Sequence, residues 1–214
     1  YVILPMSLKV GIVGLPNIGK STIFNALTAS DIPAENFPFC TIEPNIGAVS
    51  VPDERLDNIS NIFNPKQTIS TYIEFVDIAG LVKGASKGEG LGNKFLSHIR
   101  NVDSIVHVVR CFENQNITHV EGNIDPIRDI EIIETELLIK DIESLDRRID
   151  RLKKSIKSGD KKSIKEKELI EKLLPQLNEG VMVQSVSLNK DEDKILKSFS
   201  LLTNKPILYI ANVD

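Results

Sequence analysis

The chain has 214 residues, of which 41% are hydrophobic and 26% charged, with a formal net charge of −4. This composition excludes a disordered chain, and apolar runs far shorter than the ~20 residues of a membrane span predict a cytoplasmic protein with no membrane partner. The two cysteines, Cys40 and Cys111, form no CxxC pair, which argues against a disulfide framework or a structural zinc site.

The hydrophobic pattern predicts an α/β fold in which strands alternate with helices. The strands are predicted at 8–14, 46–51, 72–77, 104–110 and 206–213, and the helices of this part at 19–30 and 95–101. β-Branched runs without polar alternation, such as 104–110, are typical of strands that are buried on both faces. The order of elements therefore predicts a mostly parallel, doubly wound sheet of the six-stranded type.

A different pattern lies between the last two predicted strands. Apolar residues are spaced 4, 3, 4, 3 and 4 apart at Leu138, Ile142, Leu145, Ile149, Leu152 and Ile156. This heptad seam is interrupted at Ser158-Gly159-Asp160, and a second amphipathic helix follows. We therefore predict an antiparallel α-helical coiled-coil hairpin at 127–182, inserted between the two parts of the α/β domain at 6–126 and 183–214.

The positive charge of the chain is concentrated around this interruption. Residues 147–167, the basic segment, contain ten Lys or Arg and three acids, a net charge of +7, which leaves −11 for the remaining residues. A basic segment on an acidic chain suggests that a polyanion binds at one place, here the tip of the predicted hairpin. The alternative is that these side chains only solubilise the helices.

The strongest chemical motif follows the first predicted strand. Residues 14–21, Gly-Leu-Pro-Asn-Ile-Gly-Lys-Ser, match the phosphate-loop pattern GxxxxGK[ST] between a strand and a helix. Backbone N–H groups of such a loop surround nucleotide phosphates, and the helix N-terminus adds a partial positive charge. Lys20 would neutralise phosphate oxygens, and the Ser21 hydroxyl would bind Mg²⁺. The predicted nucleotide-binding residues here are Leu15, Pro16, Asn17, Ile18, Gly19, Lys20, Ser21 and Thr22.

Two further segments complete a predicted site for Mg²⁺ and the γ-phosphate. Asp77, in Asp-Ile-Ala-Gly, ends a predicted strand, where a carboxylate of the Mg²⁺ site belongs in such a sheet. Gly80 would then present its backbone N–H to the γ-phosphate. Thr41 lies 21 residues after Lys20 in a segment bounded by prolines, and would bind the metal from a switch loop. The alternative for Thr41 is an ordinary loop threonine.

These motifs continue into longer segments at 14–22, 36–44, 75–94 and 110–114. Together the segments resemble the YchF / Obg-like ATPase family, which lies within the translation-factor-related P-loop GTPases. The resemblance implies a P-loop NTPase G-domain that hydrolyses ATP in preference to GTP and that associates with ribosomes. Members normally continue into a C-terminal TGS domain, which we expect to be absent after Asp214.

The segment that would contact the base departs from the pattern of GTP-binding relatives. Translational GTPases place Asn-Lys-x-Asp after the last core strand, where this chain has Asn212-Val213-Asp214. Asn212 and Val213 are therefore the predicted base-contacting residues. Guanine needs a carboxylate that accepts from its N1–H and amino group, whereas adenine has an acceptor at N1. Relaxation of this motif thus lowers the preference for guanine.

The glutamine that orients the attacking water in most G-domains is missing, because Leu81 follows the DxxG motif in this chain. His119 matches a histidine to which the family resemblance assigns that task, and an imidazole can orient water. The alternative for His119 is a surface loop histidine. Asn17 also has two interpretations, as a ligand of a K⁺ beside the Mg²⁺ or as a plain loop-forming asparagine.

These observations predict a Mg²⁺-dependent P-loop nucleotide hydrolase, an ATPase and weaker GTPase, that acts as a ribosome-associated switch in translation or stress response. Its catalytic groups would be Lys20, the N–H of Gly80 and His119. The expected partners are ATP, GTP more weakly, and ribosomal RNA at the hairpin tip, without DNA specificity. The rival is a nucleotide-gated ribosome- or RNA-binding module whose hydrolysis is incidental. A P-loop kinase is disfavoured, because the spacing of the DxxG motif is typical of hydrolases.

Overall fold

The structure, a computed structural model, describes residues 7–28, 45–78 and 91–213. Five strands in these residues form one sheet. They are β1 (Leu8–Val13), β2 (Ile46–Ser50), β3 (Tyr72–Asp77), β4 (Ser104–Arg110) and β5 (Ile207–Asn212). Their order across the sheet is β2-β3-β1-β4-β5, and all neighbours are parallel except β2, which is antiparallel to β3. The predicted α/β fold with a mostly parallel sheet is confirmed.

The carboxyl ends of the four parallel strands lie at one edge of the sheet. The register places Ile12 of β1 beside Asp77 of β3, and Arg110 of β4 beside Asn212 of β5. β1 has β3 as its neighbour on one side and β4 on the other, so the strand order reverses at β1. Ligands of open α/β sheets bind at such a reversal, so the loop after β1 is where a ligand is expected.

Six α-helices lie in the described ranges. They are α1 (Lys20–Thr28), α2 (Glu54–Phe63), α3 (Leu91–Arg100), α4 (Pro126–Lys157), α5 (Lys161–Asn178) and α6 (Lys190–Lys197). α2 and α6 were not predicted from the sequence, although each begins at a residue that can cap a helix. Asp53 caps α2 by accepting from the Arg55 N–H, and Asn189 and Glu192 form a capping box on α6. None of the described helices is both long and apolar enough to cross a membrane.

α4 and α5 correspond to the two helices of the predicted insertion. Ser158–Asp160 connects them, and the Asp160 carboxylate caps α5 by accepting from the Ser163 N–H at 2.9 Å. Arg148 of α4 forms an ion pair with Glu166 of α5, with 2.9 Å between nitrogen and oxygen. The chain thus forms a helix pair, here meaning α4, α5 and their connection. The coiled-coil winding of this pair and the three proposed segment boundaries stay predictions.

One buried cluster joins the helix pair to the sheet. It includes Ile12 of β1, Ile133 and Leu145 of α4, and Ile170 of α5. The fully buried Asp141 carboxylate adds a polar tie, because it accepts from the backbone N–H groups of residues 202 and 203 at 2.9 and 2.8 Å. Burial raises the pKa of Asp141, while these hydrogen bonds oppose that shift. The middle of α4 is therefore fixed to the segment that leads into β5.

Candidate functional site

The phosphate loop has a backbone shape that its residue types require. Gly19 lies at φ +90°, and a Cβ there would collide with the Asn212 amide nitrogen. Asn17 lies at φ +62°, in the left-handed region that asparagine tolerates better than most residues. Leu15 and Ile18 have almost fully buried side chains, so only their backbone groups can face a nucleotide. At these two positions the loop therefore turns its side chains to the core and leaves its backbone groups towards the outside.

Lys20, Ser21 and Asp77 meet at the carboxyl edge of the sheet. The Lys20 ammonium pairs with one oxygen of the Asp77 carboxylate, and the Ser21 hydroxyl donates to the other at 2.9 Å. Lys20 is 9% exposed, which is unusual for a lysine and is explained by its carboxylate partner. The exposed hydroxyl of Ser21 and the carboxylate of Asp77 are hard oxygen donors, the kind that Mg²⁺ prefers.

Asn212 connects the end of β5 to the phosphate loop. Its side-chain N–H donates to the Ile18 carbonyl at 2.8 Å, and its own carbonyl accepts from the Cys111 N–H at 2.8 Å. The next residue, Val213, is 65% exposed, so its side chain is open to solvent beside the loop. The predicted base-contacting segment thus lies next to the predicted phosphate site, although Asn212 and Ile18 are 194 positions apart in the chain.

Arg110 is a site residue that sequence reasoning did not single out. Its side chain is 1% exposed, and its guanidinium donates to the carbonyls of Phe112, Asn114 and Ile117 at 3.1, 3.1 and 2.9 Å. These bonds hold the loop after β4 in one shape. The next residue of that loop, Thr118, accepts from the Asn17 side-chain N–H at 3.2 Å. Arg110 therefore fixes the shape of the loop after β4, which in turn contacts Asn17 of the phosphate loop. The sequence signal for this role was an arginine at the end of an otherwise apolar strand.

The contact of Asn17 bears on its two interpretations. The side-chain amide is engaged with the Thr118 carbonyl, and the backbone takes the left-handed shape that the loop needs. Both observations support the loop-forming role. The K⁺ ligand role stays a prediction.

His119 is buried, so its interpretation as a surface histidine is wrong. The ring is 5% exposed, and its Nε2 lies 2.8 Å from an oxygen of the buried Asp129 carboxylate. Its Nδ1 accepts from the Glu121 N–H at 3.2 Å, so Nε2 carries the proton that Asp129 accepts. Both ring nitrogens are engaged in this conformation. The water-orienting role stays a prediction, and it requires the ring to release one of these partners.

A second buried histidine lies close to the same carboxylate. His107 of β4 is 2% exposed, and burial lowers its pKa to about 4, while the Asp129 charge opposes that shift. His107 is therefore neutral at physiological pH. Asp129 also accepts from the Arg128 guanidinium of the same helix at 3.0 Å. Through its bond with His119, this carboxylate joins the start of α4 to the loop that supports Asn17.

His119→Ala should lower the free energy of unfolding by about 1–3 kcal/mol, because Asp129 loses a buried hydrogen-bond partner. Urea unfolding measures the change, and His98→Ala on the exposed face of α3 is the matched control. If unfolding is unchanged while nucleotide turnover falls, His119 acts on the reaction and not on the loop.

Three predicted positions, Thr41, Gly80 and Leu81, lie outside the described residues. Their roles stay predictions. Within the described ranges, no group of three or more His, Cys, Asp or Glu could hold a metal ion by itself. The Mg²⁺ prediction therefore rests on Ser21 and Asp77, with the remaining ligands to come from Thr41, the nucleotide and water.

These features together define a class of protein. A phosphate loop between β1 and α1, followed by a lysine and a serine, faces an aspartate at the end of the neighbouring parallel strand. This arrangement is that of a P-loop nucleotide-binding domain of the GTPase type. Residues 9–140 match the family described as 50S ribosome-binding GTPase. The chain belongs to this family and, within it, to the YchF / Obg-like ATPases, as its motifs predicted.

Three curated relatives show the extent of the similarity. The ribosome-binding ATPase YchF of Haemophilus ducreyi is 59% identical over 209 residues, which cover 98% of this chain and 58% of that protein. The YchF of Bacillus subtilis is 54% identical over 98% of this chain and 57% of its own length. Obg-like ATPase 1 of Oryza sativa subsp. indica is 53% identical over 97% of this chain and 53% of its own length.

A solved structure agrees with the fold. The Schizosaccharomyces pombe YchF GTPase matches with a TM-score of 0.80 and 43% identity, over 97% of this chain and 57% of that one. The chain therefore spans somewhat more than half the length of the relatives that it matches.

Proposed function

We propose that this protein is a Mg²⁺-dependent P-loop nucleotide hydrolase that prefers ATP to GTP. It would act as a ribosome-associated switch in translation or stress response. The observation that carries the proposal is the cluster of Lys20, Ser21 and Asp77 beside the phosphate loop. Relatives named as ribosome-binding ATPases support both the hydrolysis and the partner.

The site residues suggest how the phosphates are held. Phosphate oxygens and the Asp77 carboxylate compete for the same Lys20 ammonium, so a bound nucleotide would draw Lys20 towards the phosphates. Asp77 and the Ser21 hydroxyl would then hold Mg²⁺, with Thr41 from the switch segment. When bound, the metal supplies positive charge to the phosphate oxygens.

Hydrolysis would proceed by in-line attack of water on the γ-phosphate. Most of the rate would come from positioning and from charge neutralisation by Lys20 and the N–H groups of the loop and Gly80. The apolar Leu81 cannot orient water, so intrinsic turnover should be slow unless another group, such as His119 after a rearrangement, takes that task. A slow hydrolase of this kind suits a switch that a partner activates.

The base preference rests on the last residue of β5 and the residue that follows it. Asn212 is already committed to the Ile18 carbonyl through its side-chain N–H. Val213 replaces the lysine of the guanine-specific motif, and its exposed side chain has no polar group for a base or ribose. Weak discrimination against adenine follows, which supports ATP as the substrate.

A competition titration tests the base preference directly. With a fluorescent ATP analogue bound, unlabelled ATP should displace it at a lower concentration than GTP. Val213→Lys should narrow the difference, because it restores the side chain of the guanine-specific motif. Tighter binding of GTP than of ATP by the unmodified protein would contradict the ATPase assignment.

The rival function is an RNA- or ribosome-binding module gated by the nucleotide. It is favoured by the number of cations on the helix pair and by Leu81 in the place of glutamine. Turnover measured with and without ribosomes separates the two functions. Stimulation by ribosomes supports the hydrolytic switch, and no turnover in either condition supports the rival.

A further inference from the structure

A basic groove lies between α3 and α4, outside the nucleotide site. It is a cavity of about 340 Å³. Its lining consists of Leu96, Ser97 and Arg100 from α3 and Lys140, Ser144, Arg147 and Arg151 from α4. Four of these seven residues are cationic, two carry hydroxyl donors, and none is acidic. We call this surface the α3–α4 groove.

The groove residues of α4 form a regular row. Lys140, Ser144, Arg147 and Arg151 follow one another at intervals of four, three and four residues, so they share one face of the helix. From the first to the last, the row is ~16 Å long at 1.5 Å per residue. Consecutive phosphates of one strand of double-stranded DNA are ~3.4 Å apart along the axis, and they lie closer together in an RNA duplex, so the row can reach several of them.

The arginines of the groove have few direct carboxylate partners among the described residues. Glu143 pairs with both Lys140 and Arg147, at 3.0 and 2.8 Å, so one carboxylate serves two cations. Arg100 donates to the Ser144 hydroxyl at 2.8 Å, a neutral partner. Arg151 makes no ion pair with any residue of the described ranges. An ordinary helix surface mixes charges of both signs, whereas this face concentrates one sign around a cavity.

The lining also indicates which anion fits. Leu96 is its one apolar residue and no aromatic ring is present, so the groove offers no slot for a nucleobase. Guanidinium groups and hydroxyls are donors that match phosphate oxygens. A free nucleotide would leave its base without a partner, whereas a nucleic-acid backbone presents phosphates in a row.

We propose that the α3–α4 groove binds the sugar–phosphate backbone of RNA, without reading its sequence. This inference rests on the proposed association with ribosomes and gives that association a second surface. The groove overlaps the basic segment only at Arg147 and Arg151, and it extends the row of cations back along α4 to the sheet domain. Bound RNA would therefore contact α3 as well as the helix pair.

The test compares two variants of equal charge change in the whole protein. The groove variant carries Arg100→Gln, Arg147→Gln and Arg151→Gln, and the control carries Lys190→Gln, Lys194→Gln and Lys197→Gln on α6. The probe is a 16-base-pair RNA duplex, titrated at several salt concentrations. The groove variant should bind at least tenfold more weakly, and its log–log salt slope should fall by about 0.9 for each phosphate that it no longer neutralises. The control should match the unmodified protein.

A charge-preserving variant shows whether weaker RNA binding comes from lost charge or from misfolding. Arg100→Lys, Arg147→Lys and Arg151→Lys should keep most of the affinity, because the groove would bind phosphates and not base edges. Equal RNA binding by the groove variant and the unmodified protein overturns the proposal. Equally weakened binding in the groove variant and the control also overturns it, since any removal of positive charge would then suffice.

Two further measurements complete the test. One distinguishes RNA from free phosphates as the ligand, and the other distinguishes failure of this inference from failure of the proposed ribosome association. Inorganic pyrophosphate that binds in a groove-dependent manner, with no binding of the RNA duplex, overturns the RNA assignment in favour of free phosphates. If the unmodified protein binds neither RNA nor ribosomes, the proposed ribosome association fails and this inference fails with it. If it binds both and the groove variant does so equally well, only this inference fails.

Discussion

Lys20→Ala should weaken the binding of both ATP and GTP by about a hundredfold or more, because a charge-assisted bond to phosphate contributes roughly 3 kcal/mol. The nearly buried ammonium of Lys20 lies at the start of α1, where the phosphate loop directs its backbone N–H groups. Its partner Asp77 belongs to the same site, so the substitution leaves the packing of the core almost unchanged. Titration with a fluorescent nucleotide analogue measures the effect.

Lys9→Ala is the matched control for this experiment. Lys9 also pairs with a carboxylate of β3, since its ammonium lies 3.0 Å from Glu74, but it belongs to the beginning of β1. This variant should lack a lysine–carboxylate pair and still bind nucleotide with unchanged affinity. Unfolding curves of both variants should remain cooperative. An unchanged affinity in Lys20→Ala would show that the loop after β1 is not the phosphate site.

Charge reversal at the connection of the helix pair should strongly reduce ribosome association at moderate salt. The five substitutions to glutamate are at Lys153, Lys154, Lys157, Lys161 and Lys162. All five lysines are exposed, and of the five only Lys153 forms an ion pair within the described ranges, with Asp150 at 2.7 Å. Folding therefore does not need this charge. Each phosphate that is no longer neutralised should weaken binding and flatten the salt dependence, because fewer counterions are released.

Co-sedimentation with ribosomes across a salt series measures this effect. Glutamate at Lys172, Lys190, Lys194 and Lys197 provides a control on α5 and α6, away from the connection. Basal ATP hydrolysis should be unchanged in both variants, because neither alters Lys20, Ser21 or Asp77. Unchanged pelleting of the connection variant would mean that these lysines only solubilise the helices. The ribosome contact would then lie elsewhere, for example in the α3–α4 groove.

Elements with strong local patterns were predictable. The strand Tyr72–Asp77 and the strand Ser104–Arg110 were predicted with the bounds that the structure shows. The break between the two long helices was placed at Ser158–Asp160, where it is found. In contrast, α2 and α6 were missed, because all ten residues of α2 are at least partly exposed and α6 has eight residues. Helices of ten and eight residues make only about two to three turns, over which a hydrophobic period is hard to recognise, so their capping residues were the better signal.

The candidate site likewise has features that local sequence predicted and features that it did not. The positions of the phosphate-loop motif between β1 and α1 and of Asp77 at the end of β3 were predictable from sequence, because the spacing of the motif fixes the first and the end of the strand fixes the second. Three contacts were not predictable in detail. They are the bond from Asn212 to Ile18, the burial of His119 against Asp129 and the carbonyl groups that accept from Arg110. Each depends on which strands are neighbours and in what register.

The sequence by itself therefore determined the class of chemistry: a glycine-containing loop for phosphates, with a lysine, a serine and an aspartate to complete the site. The tertiary structure decided which distant segments support that loop and where cations from separate helices converge, as Arg100 and Arg151 do in the α3–α4 groove. The physical reason is that backbone shape and local spacing are encoded over a few residues. Contacts between distant residues exist only after the sheet register and helix packing have brought them together.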